Sequence, residues 1–162
     1  MKTKLKLFVG ALLIIFLAFS FFTFTSIKNA YAGAKAINSV QYFKTHTLKI
    51  VYQVPQNPKK WPMLMALITA VVKDAHKNSV RYKLDVVAWG PAIRIFMKTD
   101  TKYYKTLHSF AVKGIKLVVC HRSEKSLYIK KSGIYNFANI DYPDAEWILA
   151  QKEMQGYAYI KP

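Results

Sequence analysis

The sequence predicts an open three-layer α/β domain, with a parallel sheet of about five short strands and helices on both faces. Two observations carry this prediction. Short runs rich in β-branched residues alternate with apolar segments of helical period, and proline or glycine turns separate them. Strands that are joined through helices form right-handed βαβ units, which give a parallel sheet.

The first strand is predicted over residues 48–54, and it stops at the turn sequence PQNP. A helix follows over about residues 61–78, with Pro62 in its first turn. Its inward stripe is predicted from the helical period as Leu64, Leu67, Ile68, Val71 and Ala75.

The middle of the chain contains the second strand, at residues 82–89, which a Gly-Pro pair ends. Residues 92–98 are ambiguous, and a short helix over the sheet edge is one interpretation. A clearer helix is predicted from Asp100, as the N-cap, to Lys113. The third strand covers residues 115–120.

The last third is predicted to hold one more strand, two helices and a closing strand. Ser123 is the expected cap of a helix that Gly133 ends. The remaining elements are a weak strand near 135–140, a helix starting around 142–144 with proline at its first position, and a strand at 157–160.

The N-terminus has the order of a secretory signal. Three lysines precede an apolar stretch of 18 residues, 7–24, and an Ala-Tyr-Ala sequence ends at residue 32. We predict a signal peptide over 1–32, and an uncleaved N-terminal anchor formed by 7–24 is the alternative. Residues 33–46 are then a linker, and 47–162 form a domain in the periplasm or otherwise outside the cytoplasm.

The chain is strongly basic, with a formal net charge of +17, of which about +13 follows residue 32. Such a charge attracts anionic surfaces, including phospholipid headgroups and cell-envelope polymers. The lysines are scattered and no nucleic-acid-binding motif accompanies them, so no nucleic-acid partner is predicted. A solvated basic face and attachment to an anionic envelope surface both remain open.

Cys120 is the only cysteine of the chain, and it closes the apolar run of the third strand. A lone thiol outside the cytoplasm must be sequestered or used. Ligands of parallel sheets bind beyond the carboxyl ends of strands, where Cys120 is predicted to lie. A helix start at Ser123 and the adjacent His121 and Arg122 would lower the pKa of a thiol there. The alternative is a buried cysteine that acts as a small hydrophobe.

Other residue types provide weaker candidates. The histidines lack metal-ligand spacing, so no metal site is predicted, and His121 is kept as a proton partner for Cys120. No nucleotide-binding loop is present, so no cofactor is predicted. Gly90 and Pro91 are expected to shape the turn beside the pocket that Cys120 lines. Helix capping is the interpretation of the carboxylates at 141–146.

Four segments resemble the DsrE/DsrF-like family of small sulfur-relay proteins. They are NPKKW at 57–61, VVAWGP at 86–91, GIKLVVC at 114–120 and QGYAYIKP at 155–162. The resemblance implies a parallel α/β fold that forms homo-oligomers, commonly trimers or hexamers. It also implies that Cys120, at the end of the third strand, carries a persulfide.

Two features depart from the family pattern. The carriers follow their cysteine with small residues and an Arg-Gly pair, whereas residues 121–125 here read HRSEK. Trp89 stands where a smaller or more polar residue is expected, and it could narrow the pocket mouth. The chain is therefore more similar to a side branch of the family whose activity is unsettled.

These observations lead to two functional hypotheses. In the first, the protein is an exported persulfide carrier, a relay component rather than a self-contained enzyme. Cys120 is its nucleophile, and His121, Arg122, Ser123, Gly90 and Pro91 surround it, with a sulfur donor or acceptor protein as partner. In the second, the protein is an oligomeric binding module with an inert Cys120 and a basic surface for anionic envelope components.

Overall fold

A five-stranded sheet forms the centre of the domain. The structure, a computed structural model, describes residues 38–162. The strands are β1 (Leu48–Gln53), β2 (Tyr82–Ala88), β3 (Lys116–Cys120), β4 (Ala138–Asp141) and β5 (Ala158–Ile160). They lie in the order β4-β3-β2-β1-β5, and every neighbouring pair is parallel, which confirms the predicted fold class.

Five α-helices accompany the strands within the described residues. They are α1 (Ser39–Phe43), α2 (Trp61–Lys77), α3 (Tyr104–Val112), α4 (His121–Ser126) and α5 (Ala145–Met154). Short 3-10 helices cover Pro58–Lys60, Gly90–Phe96 and Lys131–Gly133. Helix α1 lies within the segment that was predicted as a linker.

The predicted signal peptide, the alternative anchor and residues 33–37 of the predicted linker lie outside the described residues. Among residues 38–162, no helix is long and apolar enough to cross a bilayer.

The sheet buries its two faces against different elements. One face, which we call the α2 face, packs against α2 and α3 through strand residues such as Ile50, Val86 and Leu117. The 3-10 helix Gly90–Phe96 is part of this core rather than a flap over the sheet edge. The other face, the α5 face, buries Val51, Val87, Val118, Cys120 and Ala145.

The predicted inward stripe of α2 was wrong in part. Leu67 is 41% exposed, while the buried residues are Trp61, Leu64, Met65, Ile68, Val72 and Ala75. No charged residue occurs between 61 and 72, so the sequence pattern does not mark one face of this helix. The tertiary structure does, because Trp61 is buried and its indole nitrogen donates to the Pro55 carbonyl oxygen at 2.8 Å.

Two predicted helix starts were also wrong, those at Asp100 and Pro143. Asp100 accepts a hydrogen bond from the Lys102 backbone nitrogen at 3.2 Å, in a turn ahead of α3. Pro143 precedes α5 instead of opening it, and a cis peptide bond joins it to Tyr142. Aspartate and proline are common both in turns and at helix starts, so local sequence does not distinguish the two.

Candidate functional site at the carboxyl end of β3

The chain leaves β3 and β4 toward opposite faces of the sheet. After β3 it passes to the α2 face, where Leu127, Ile129 and Ile134 join the core. After β4 it passes to the α5 face, where Ala145 is buried. Neighbouring parallel strands with diverging connections leave a crevice at their carboxyl ends, the usual ligand position in open α/β sheets. Here that position is between Cys120 and its register partner Asp141.

Cys120 lies at this crevice but is buried. It is a free thiol with 3% of its surface exposed. It packs in the cluster of Val87, Val118 and Ala145, and Trp89 partly covers this cluster. The expectation that Trp89 narrows a pocket mouth stays a prediction.

The helix after Cys120 starts earlier than the sequence indicated. Helix α4 begins at His121, directly after β3, so Cys120 itself occupies the N-cap position and Ser123 is inside the helix. It ends at Ser126, well before Gly133. The predicted cap at Ser123 was therefore wrong, although Cys120 does lie next to a helix N-terminus.

His121 is engaged by neighbours other than the thiol. Its Nδ1 atom lies 3.0 Å from Glu124 Oε2, one turn along α4. Its ring packs against Tyr142, with 3.9 Å between ring centroids. Because Tyr142 belongs to the connection after β4, this ring contact crosses the crevice.

Arg122 makes the second contact across the crevice. One guanidinium nitrogen lies 2.5 Å from Asp144 Oδ2. The Asp144 side chain is 4% exposed, whereas that of Arg122 is 71% exposed. Asp144 occupies the N-cap position of α5 but makes no side-chain cap hydrogen bond, so capping does not account for this carboxylate. Its role is the ion pair with Arg122.

Ser123 joins α4 to the turn after β2. The Gly90 backbone nitrogen donates to Ser123 Oγ at 2.7 Å. Gly90 has φ +55°, a conformation that side chains disfavour. Gln56, from the loop after β1, supports the same turn, because its Nε2 donates to the Trp89 carbonyl oxygen at 2.9 Å. Pro91 is exposed at the surface of this turn.

Asp141 is the titratable group opposite Cys120. Burial raises the pKa of its carboxyl group, and the nearby charge of Asp144 acts in the same direction. A backbone hydrogen bond from Tyr142 and the charge of Lys152 oppose this shift in pKa. The crevice thus holds a carboxyl group that resists ionisation.

The Cys120 thiol does not line any of three surface grooves found in residues 38–162, and it is buried. These grooves, of about 540, 240 and 520 Å³, are lined by other residues. Within residues 38–162, no cluster of three or more His, Cys, Asp and Glu side chains could hold a metal ion.

The sequence placed six residues in one region, and in the structure all of them lie at the carboxyl ends of β2 and β3. They are Cys120, His121, Arg122, Ser123, Gly90 and Pro91. Sequence reasoning missed Gln56, Glu124, Tyr142 and the ion-pairing role of Asp144. Gln56 lies in the loop after β1, Glu124 in helix α4, and Tyr142 and Asp144 in the connection after β4, so their proximity depends on strand order. The one available sequence signal was that Gln56 lies in the turn that follows the first strand.

Comparisons with known proteins show the fold alone. No family model matches the chain, and no curated protein matches it. Among solved structures, the chain is similar to MTH1491, a protein of unknown function from Methanobacterium thermoautotrophicum, with a TM-score of 0.64 and 13% identity. The match covers 71% of this chain and 99% of that one.

Proposed function

We propose that this protein is an exported sulfur carrier in which Cys120 transiently holds a persulfide. The observation that carries the proposal is the position of the thiol at the crevice between β3 and β4. The resemblance to sulfur-relay proteins supports the same chemistry. A carrier of this kind passes sulfur between partner proteins and is not a self-contained enzyme.

The proposed transfer is a thiol exchange without net oxidation or reduction. The Cys120 thiolate attacks the outer sulfur of a donor persulfide, the donor sulfur–sulfur bond breaks, and the donor leaves as a thiolate. Cys120 then carries the added sulfur until an acceptor thiolate attacks it. His121, whose Nε2 is not engaged by Glu124, can take or supply the proton.

Access to the thiol requires the crevice to open. The Arg122–Asp144 ion pair and the His121–Tyr142 ring contact both join the connections on its two sides. Their separation would expose Cys120 and release Arg122 to offset the charge of a thiolate or persulfide, together with the backbone N–H of Ser123. We propose that local fluctuation opens the crevice transiently in the isolated protein, and that a partner protein or a second copy favours the open state.

The direct test is mass spectrometry of the intact chain after treatment with polysulfide. We expect one or more added sulfur atoms, removed by a reducing agent, and no addition to Cys120→Ser. A known persulfide carrier treated in parallel shows that the conditions are sufficient. If that carrier is labelled and this protein is not, the carrier function is excluded.

The alternative is an oligomeric binding module with an inert Cys120. The 3% exposure of the thiol favours it, as does the excess of 20 lysines and arginines over eight carboxylates in residues 38–162. It predicts slow reaction of Cys120 with thiol reagents and binding to anionic vesicles that weakens as salt is added. Vesicle binding that does not respond to salt would contradict the electrostatic part of this alternative.

A further inference from the structure

A polar groove at the opposite end of the sheet is a second place where side chains converge. It has a volume of about 540 Å³ and lies at the amino ends of β1 and β5. Its walls come from α1 and the following turn, the start of β1, Arg81, and residues near Gly156. Cys120 lies at the carboxyl end of β3, so this groove is separate from the candidate site described above.

Three basic side chains line the groove from different segments: His46, Lys49 and Arg81. None of the eight carboxylates of residues 38–162 lines it, and none forms a salt bridge with these three side chains. Lys49 is held in place because its Nζ donates to the Gln155 carbonyl oxygen at 2.9 Å. Cations in a concave site that no carboxylate lines attract anions.

His46 has a defined orientation in this groove. Its Nδ1 atom lies 2.9 Å from the Tyr42 carbonyl oxygen and 2.9 Å from Thr45 Oγ1. Because a carbonyl oxygen only accepts, this contact places a hydrogen on Nδ1, and Nε2 of the neutral ring is left as an acceptor for a hydrogen of a ligand. The ring also stacks on Tyr42, with 4.0 Å between centroids and 4° between planes.

We propose that this groove binds a phosphate monoester of a small apolar or aromatic alcohol. Its volume falls in the range of small-molecule sites, roughly 300–1,000 Å³. A phosphate monoester has enough oxygens to accept hydrogen bonds from Arg81 and Lys49 together, and the proton of its monoanion can be shared with His46 Nε2. The apolar walls, Phe43 and Leu48 among them, suit the rest of the ester. A soluble ester and a lipid headgroup share this chemistry.

The test is calorimetric titration of the full-length chain with phenyl phosphate. We expect saturable one-to-one binding, no binding of phenol, and at least tenfold weaker binding to Arg81→Gln. Arg94→Gln is the matched control, since Arg94 is an exposed arginine outside the groove, and its affinity should stay within about twofold of the parent.

A second arm uses detergent micelles that carry lysophosphatidic acid. Arg81-dependent binding to these micelles but not to phenyl phosphate would assign the groove to lipid headgroups. Binding to neither probe would overturn the proposal. An equal loss in Arg81→Gln and Arg94→Gln would also overturn it, because binding would then reflect the general positive charge.

Discussion

Arg122 and Asp144 connect the two chain segments that leave the sheet on either side of Cys120. The carboxylate is buried and the guanidinium is mostly exposed, so the contact chiefly compensates a charge that folding removes from water. We expect this pair to limit how readily the crevice opens.

Replacing Arg122 tests whether the ion pair stabilises the fold and whether it limits access to Cys120. We expect Arg122→Gln to lower the free energy of unfolding by about 1–3 kcal/mol, because a buried carboxylate loses its partner. The same variant should react faster with a thiol reagent at Cys120. Urea denaturation and alkylation kinetics measure the two changes.

Asp144→Asn is the control for this variant. It removes the charge with little change in shape, so it should lose less stability than Arg122→Gln and show a similar gain in alkylation rate. If neither variant changes the alkylation rate, the ion pair does not control access to the thiol.

Asp141 gives a prediction about pH. Because burial raises the pKa of its carboxyl group, the folded chain binds this proton more tightly than the unfolded chain does. The contribution of Asp141 to stability is therefore greatest below about pH 4, the usual carboxyl pKa, and is lost as pH rises through the raised value. Asp141→Asn should flatten this part of the stability profile in urea denaturation from about pH 3 to 7. If stability changes with pH in the same way in Asp141→Asn and in the parent, the raised pKa of Asp141 does not contribute to this pH dependence.

The turn after β2 contacts both the loop after β1, through Gln56, and helix α4, through Ser123. A Cβ atom at Gly90 would lie 3.0 Å from Gln56 Oε1, and the residue has φ +55°. Gly114 also has a positive φ, +79°, but a Cβ atom there would meet nothing within 4 Å. The two glycines therefore separate the cost of backbone conformation from the cost of displacing Gln56.

Gly114→Ala should lower the free energy of unfolding by about 1 kcal/mol, the cost of a left-handed conformation. Gly90→Ala should cost more, because Gln56 must also move. In a Gln56→Ala background the excess cost at Gly90 should largely disappear, as a double-mutant cycle would show. Equal costs at Gly90 and Gly114 in the parent would mean that Gln56 moves freely.

Helix α5 is attached to the sheet by an ion pair that is itself buried. Lys152 Nζ lies 2.5 Å from Asp85 Oδ2, and both side chains are at least nine-tenths buried. We expect Lys152→Met to lower the free energy of unfolding by about 3 kcal/mol, since Asp85 is left unpaired. The double variant with Asp85→Asn should recover much of this loss. If Lys152→Met is as stable as the parent in urea denaturation, the Lys152–Asp85 ion pair does not stabilise the fold.

At the scale of the whole molecule, the outer side of α2 has the composition of an interface. Met63, Ala66, Leu67 and Ala70 are exposed on it, and no charged residue occurs between 61 and 72. We propose that a second copy of the chain covers this side.

We expect Leu67→Glu to reduce the mass measured by light scattering toward that of one chain, because the charge cannot be buried unpaired in an interface. Val112→Glu is the control, because Val112 is an exposed apolar residue on α3. Equal masses for the parent and Leu67→Glu would exclude this face of α2 as the interface.

Apart from α1 and the 3-10 helices, the sequence alone determined the order of elements, the parallel sheet and the position of Cys120 at a strand end. These properties are local, since the periodicity of a short window and the turns around it decide them. The bounds of helices were less accurate, as Ser123 and Asp100 show, because residues that cap helices also form turns.

The tertiary structure alone decided which loops meet. Gln56, Gly90 and Ser123 are separated by more than 30 residues each, and Arg122 and Asp144 by more than 20. Their contacts follow from the strand order and from the faces to which the connections turn, which depend on many weak interactions across the whole core. The same long-range packing covers Cys120, so the sequence located the thiol whereas only the fold determined its burial.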